Sequence, residues 1–143
     1  MRLRHLCAFS VVLTLASARA QEADHEVEAR KVALELAGAF SNDGFKIRDG
    51  HWAGEVKNGS PAVIAVNLYA GNQYWFSVGS NEKDAKFAVT VNDETGNLVP
   101  SDPYSGEATA AAGFSPTTSG QYFVSVSPSE PEAGTYCLVY SYK

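Results

Sequence analysis

From His51 onward, apolar and polar positions alternate with a period of two, the spacing at which successive side chains point to opposite faces of a strand. Strands are predicted near residues 51–56, 62–69, 73–79, 87–92, 97–99, 108–114, 121–127 and 135–142. Turn chemistry separates them: Asn58-Gly59-Ser60-Pro61, Ala70-Gly71-Asn72, Glu94-Thr95-Gly96-Asn97, Ser119-Gly120 and Pro131-Glu132-Ala133-Gly134. The phrase from Gly71 to Val78 returns, lightly edited, from Gly120 to Val126, with a looser echo from Gly134 to Tyr140. In each, a glycine closes a turn and aromatic and β-branched residues then alternate along a strand.

Alternation sorts the faces. Ile64, Val66 and Leu68; Tyr74, Phe76 and Val78; Phe87, Val89 and Val91; Tyr122, Val124 and Val126; and Tyr136, Leu138 and Tyr140 are expected to point inward. Burying side chains of this size contributes roughly 1.5–3 kcal/mol each. The opposite faces carry Trp75, Phe123, Cys137 and Val139, more apolar than a solvated sheet needs.

Before His51 the period is different. Ala29, Val32, Ala33, Leu36, Ala37 and Phe40 recur at helical spacing and predict a helix over 24–40. Asp24 is placed to cap it, Glu26 and Glu28 fall in its first turn, and Glu26 with Arg30 makes an i,i+4 pair. Asn42-Asp43-Gly44 supplies the stop. A helix of this length is marginal alone in water, so its apolar stripe is expected to cover part of the sheet's apolar outer surface. The expected fold is all-β: a jelly-roll-like antiparallel β-sandwich of seven or eight strands, preceded by one N-terminal α-helix.

Residues 1–20 read as an export signal. Arg2 and Arg4 form a basic start, Leu6 to Ala16 is an apolar run too short to span a bilayer, and Ala18-Arg19-Ala20 is a small-x-small cleavage site. The organisation is then 1–20 signal peptide, 21–44 helix packing on the sandwich, and 51–143 sandwich domain, in a periplasmic or secreted protein. Three of the 11 basic residues lie in the leader, so 8 remain against 16 acidic ones, a net charge of −8. That surface repels a phosphate backbone and disfavours nucleic acid or an anionic membrane as partner. Cys7 belongs to the leader, which leaves Cys137 alone and removes an internal disulfide from the picture. The fold must rest on core burial.

The run from Phe87 to Val99, with its Asp93-x-x-Gly96-Asn97 turn, resembles the bacterial pre-peptidase C-terminal domain. So do the run from Phe114 to Val126, with Pro116-x-x-Ser119-Gly120-x-Tyr122, and the strand from Ala133 to Leu138. The likeness spans roughly residues 51–142 and implies a jelly-roll-like sandwich that serves secreted proteins as a non-catalytic accessory module. Some relatives bind calcium or extracellular polymers such as collagen. The acidic strand common in that family is here Ala85-Lys86-Phe87-Ala88-Val89, and a helix, not a protease domain, precedes the module.

Few residues suggest reaction chemistry. His25-Glu26 is followed by Ala29 where a metalloprotease helix needs a second histidine, and His51 stands alone at a strand start. Ser80-Asn81-Glu82-Lys83 matches a Ser-x-x-Lys string, but its companion motifs are missing and a polar hairpin loop explains it. Asn58-Gly59-Ser60 matches a glycosylation acceptor, with Pro61 directly after it. Cys137 has no basic neighbour in sequence to lower its pKa and reads as a small buried apolar residue. No cofactor is expected: Asp84, Asp93, Glu94 and Asp102, with Asn92, offer hard oxygen ligands for calcium as an alternative, but turn chemistry alone accounts for Asp and Asn there. Trp52, Trp75, Tyr104 and Phe123, with Tyr69, offer a stacking platform for sugar rings or aromatic peptides. The expected protein is an exported, non-catalytic accessory or binding module. The alternative is a glycan- or calcium-binding module using these aromatics or acidic loops, and the expected partner is a protein or polysaccharide of the envelope or exterior.

Overall fold

In the computed structural model, which describes residues 9–130 and 133–143, a helix α1 (Phe9–Ser41) precedes ten strands. These are β1 (Lys46–Ile47), β2 (Trp52–Lys57), β3 (Ala62–Leu68), β4 (Tyr74–Gly79), β5 (Lys86–Asn92), β6 (Leu98–Val99), β7 (Asp102–Gly106), β8 (Thr109–Phe114), β9 (Gly120–Glu130) and β10 (Ala133–Tyr142). Arg2, Arg4 and Cys7 of the expected export signal, and Pro131-Glu132 of the last predicted turn, lie outside the described residues.

The strands form two antiparallel sheets. In the first, β2 and β1 pair in succession along one edge of β10, followed across the sheet by β4, β8 and β7. The second runs β3-β9-β5-β6. The chain changes sheet at most of its connections, and β5–β6 and β7–β8 are hairpins within one sheet. The result is the expected sandwich, with ten strands instead of seven or eight. Every side chain assigned inward is buried except Val89, which is half-buried and packs against the same core.

The extra strands have physical causes. β7 contains Pro103 and Gly106 and looks like a turn in sequence, but it pairs with β8 alone. Proline is tolerated on such an edge because its missing N–H faces away from the ladder. β1 is two residues long, below what periodicity can reveal. In β9 the partner of β5 skips from Pro128 to Glu130, a bulge, and the proline is tolerated because the pairing with β3 has already ended at Val126.

Helix α1 begins earlier than predicted. Asp24 is not a cap; it lies inside a helix that is continuous through Ala18, Ala20 and Ala23. Nothing in that stretch breaks a helix, and alanine is the best helix former. Residues 16–24 are all exposed, so this portion covers no sheet.

From Ala29 the helix meets the outer face of the first sheet. Ala29, Ala33 and Ala37 are fully buried against Cys137 and Val139 of β10. The approach is close enough that a Cβ on Gly79 of β4 would lie 2.4 Å from the Ala33 nitrogen and 2.8 Å from the Ala29 oxygen. Backbone lies on backbone there. Further along, Phe40 stacks on Trp75 with ring centroids 4.3 Å apart and planes within 4°. Trp75 in turn lies over Gly113 of β8, where a Cβ would come within 2.9 Å of the indole. Of the four outward apolar residues, the helix covers Trp75, Cys137 and Val139. Phe123 belongs to β9 in the second sheet, beside Ala65 of β3, and has no helix above it.

Gly79→Ala is expected to lift the helix and cost about 1–3 kcal/mol, the usual range for overpacking. Its signature is a lower denaturation midpoint together with faster thiol labelling of Cys137. Phe76→Ala, from the centre of the core, is expected to cost about 3–5 kcal/mol without raising the labelling rate of the folded protein.

Candidate functional site

The predicted aromatic platform is divided among three places. Trp75 and Tyr104 come together, but around Phe40: the Tyr104 ring meets Phe40 edge-on at 6.4 Å, and Phe40 stacks on Trp75. These two rings seat the helix. Phe123 is half-buried on the outer face of the second sheet. Trp52, on β2, points to the interior side of the first sheet and stacks with Tyr140 at 6.0 Å and 13°.

The acidic candidates are also dispersed. Asp84 sits in the loop from β4 to β5, Asp93 and Glu94 in the β5–β6 turn, and Asp102 opens β7. Asp93 organises its own turn, its Oδ1 accepting from Thr95 N at 3.0 Å, Thr95 Oγ1 at 2.7 Å and Asn97 N at 3.0 Å. The hydrogen bond from the Thr95 hydroxyl, then that from Asn97 N–H, holds its carboxyl below the usual aspartate range. Among the described residues, no three His, Cys, Asp or Glu side chains gather into a group suited to a metal ion.

Ser80 is buried and tied down: its hydroxyl donates to the Thr135 carbonyl at 2.8 Å and accepts from Glu82 N–H. The loop that carries it is not the hairpin expected from sequence, because it links β4 of one sheet to β5 of the other. Cys137 is a free, fully buried thiol under the helix, and burial pushes its pKa up to about 11 against a partial opposing pull from Arg30. His25 is half-buried on α1, and His51 is exposed just before β2.

A cleft of about 530 Å³ lies along the open edge of the sandwich, where β10 exchanges β2 for β1 as its partner. Arg48, Trp52, Tyr69, Tyr74, Tyr140 and Tyr142 converge on it. The chain leaving β1 is pinned there because Arg48 N–H donates to the Tyr140 carbonyl at 2.9 Å. The same residue lays its guanidinium over the Tyr140 ring, 5.2 Å from the centroid, a cation–π arrangement. Across the cleft, the Tyr74 hydroxyl accepts from Tyr69 N–H at 2.9 Å and from Asn72 Nδ2 at 3.1 Å, which ties down the loop between β3 and β4. Tyr69 is 63% exposed, so its ring stands free at the rim. Burial raises the pKa of the Tyr140 phenol while Arg48 partly counters it, and the group is neutral across the physiological range.

A second recess, of about 570 Å³, lies between the β5–β6 turn and the loop from β8 to β9. There Asp93 is engaged within its own turn, and the Tyr122 hydroxyl donates to the Thr118 carbonyl at 2.6 Å. This recess is lined by turn residues together with Phe114, Tyr122 and the carboxylates of Asp93 and Glu94, whereas the first cleft presents a cation, four phenols and an indole.

Two of the predicted platform residues, Trp52 and Tyr69, thus line the first cleft. Arg48, Tyr74, Tyr140 and Tyr142 were not singled out as binding groups. Arg48 lies between β1 and β2, where no periodic pattern draws notice, and the inward tyrosines read as core. The available signal was their position at strand ends, next to loops, since a phenol there can show its hydroxyl to water. Comparison of the chain with protein-family models and with curated protein sequences finds no match to either.

The raised pKa values give stability a direction on the alkaline side. A thiol or phenol whose folded pKa exceeds its unfolded value stabilises fully below the unfolded pKa, and that contribution disappears as pH rises through the folded one. For Cys137, whose pKa rises from the ordinary thiol value of 9.0 to about 11, up to about 3 kcal/mol is expected to be lost between those pH values. Tyr136 and Tyr140, both raised chiefly by burial, extend the loss above pH 10. Urea midpoints measured from neutrality upward should fall over this window, and Cys137→Ala should flatten the first part of the fall.

Proposed function

We propose that this protein is an exported, non-catalytic binding module that seats its ligand in the cleft lined by Arg48, Trp52 and four tyrosines. The observation that carries the reading is the convergence of these side chains at one open edge of the sandwich, while Trp75 is taken up in seating the helix. A guanidinium, phenols, an indole and two amides are groups that stack and hydrogen-bond, which is what recognition needs. They are poor proton carriers near neutrality: guanidinium stays charged, and the Tyr140 phenol is pushed further from titration by burial.

Export is supported by the basic, apolar and small-residue order of the first 20 residues, and a relationship to the pre-peptidase C-terminal domain by the motifs between Phe87 and Leu138. Under this reading a polysaccharide of the envelope or exterior is the ligand class, because aromatic faces fringed by amides and hydroxyls match a sugar's apolar ring face and its ring of hydroxyls.

The test uses the position of one tryptophan. Titration with a panel of neutral and acidic oligosaccharides is expected to change the fluorescence of Trp52, while Trp75 stays shielded by Phe40. Trp52→Phe should remove the change, and Trp52→Ala should weaken binding by about 1–3 kcal/mol, the value of a stacking contact. A panel in which no saccharide perturbs the Trp52 signal rejects the reading.

A further inference from the structure

We infer that the saccharide this cleft takes is acidic, a hexuronate whose carboxylate pairs with the guanidinium of Arg48. The inference rests on the binding-module reading and deepens it. The protein is acidic overall, with 16 acidic against 11 basic residues in the full sequence, yet among the described residues the single charged side chain lining the cleft is a cation. Among the described residues no carboxylate lines the cleft beside Arg48, whose guanidinium rests on the Tyr140 ring and keeps an N–H edge suited to an anion.

Arg48 is also held in place on two sides. Its backbone donates to the Tyr140 carbonyl and its exposed side chain rests on the same residue's ring, a contact that favours one orientation of the guanidinium before binding. A planar guanidinium in this state matches a carboxylate with two parallel hydrogen bonds, each charge-assisted. The uronate ring would then face the aromatic wall of the cleft, where Tyr69 and Tyr142 are exposed and Trp52 is half-buried. Asn72 gives one amide proton to Tyr74, and its carbonyl oxygen is left to accept from a sugar hydroxyl. A flat nucleobase fits less well: Trp52 and Tyr140 already stack on each other at 6.0 Å, which leaves no slot for a ring between them.

The discriminating experiment is calorimetric titration of the purified protein with oligogalacturonate and oligoglucuronate, each beside its methyl ester, which keeps the ring and removes the charge. Adenosine monophosphate is the non-saccharide anion. The free acid is expected to bind at least about tenfold more tightly than the ester, as a charge-assisted pair implies, with the difference shrinking as salt rises. R48Q should bring acid and ester level, and R48K should retain part of the preference. Acid and ester binding equally to the unaltered protein would overturn the inference and leave the binding-module reading intact. So would an acid preference that survives R48Q. Adenosine monophosphate binding more tightly than any saccharide would overturn the sugar while keeping the cleft. If no saccharide binds, both the inference and the broader reading fall. The acid–ester comparison is made on the unaltered chain and therefore stands whether or not R48Q folds.

Discussion

The close seating of a helix backbone on a sheet backbone at Gly79 constrains much else in the molecule. For α1 to come that near, the residues between must be small, and Ala29, Ala33 and Ala37 on the helix meet a glycine on β4. The larger groups, Cys137 and Val139, come from β10 and fill the space to the side. Because the helix cannot rise without opening this seam, its C-terminal turn is brought down onto Trp75, and the indole is pressed flat on Gly113. A surface that would otherwise expose a tryptophan and a cysteine becomes a second, smaller core. The sandwich therefore has one sheet covered on both faces and one whose outer face meets solvent, with Val63 59% exposed there.

That asymmetry also explains how the aromatic residues divide between packing and display. Trp75 and Tyr104 lie on the helix-covered face and are used to hold it. Trp52 lies on the interior side of an edge strand, where the sheet gives β10 a new partner and the wall of the sandwich is interrupted. A cleft arises there for a topological reason: two short strands share one edge of β10, and the chain between them must bow outward while Arg48 stays anchored to Tyr140. The cleft is thus the product of a discontinuity in the sheet.

Strands with a clean period of two were legible from the sequence, since the pleat and the hydrophobic pattern follow the same rule from Ile64 to Leu68 and from Tyr74 to Val78. The helix stripe and the surface it covers were legible too, because an unmatched apolar face on one element implied an unmatched face on another. What escaped has specific causes. Pro103 and Gly106 carry the local chemistry of a turn, and only the position of β7 at a sheet edge makes a strand of them. Asp24 has the chemistry of a cap, but the alanines upstream continue the helix through it. The cleft was half legible. Trp52 and Tyr69 were singled out by residue type, whereas Arg48 and Tyr140 meet through long-range pairing, and no pattern within a short window places residues so distant in the chain side by side.

β10 touches more of the structure than any other strand: it pairs with β1, β2 and β4, carries the helix on one face, and supplies Tyr136, Leu138 and Tyr140 to the core on the other. It also follows all the other described strands in the chain. The six-stranded sheet therefore has no spine until the last of its strands has been synthesised, and its closing contacts span nearly the whole sequence, a topology that forms slowly. A chain that still lacks β10 can make neither its pairings with β1, β2 and β4 nor the seat of the helix, so the first sheet closes only when that strand arrives.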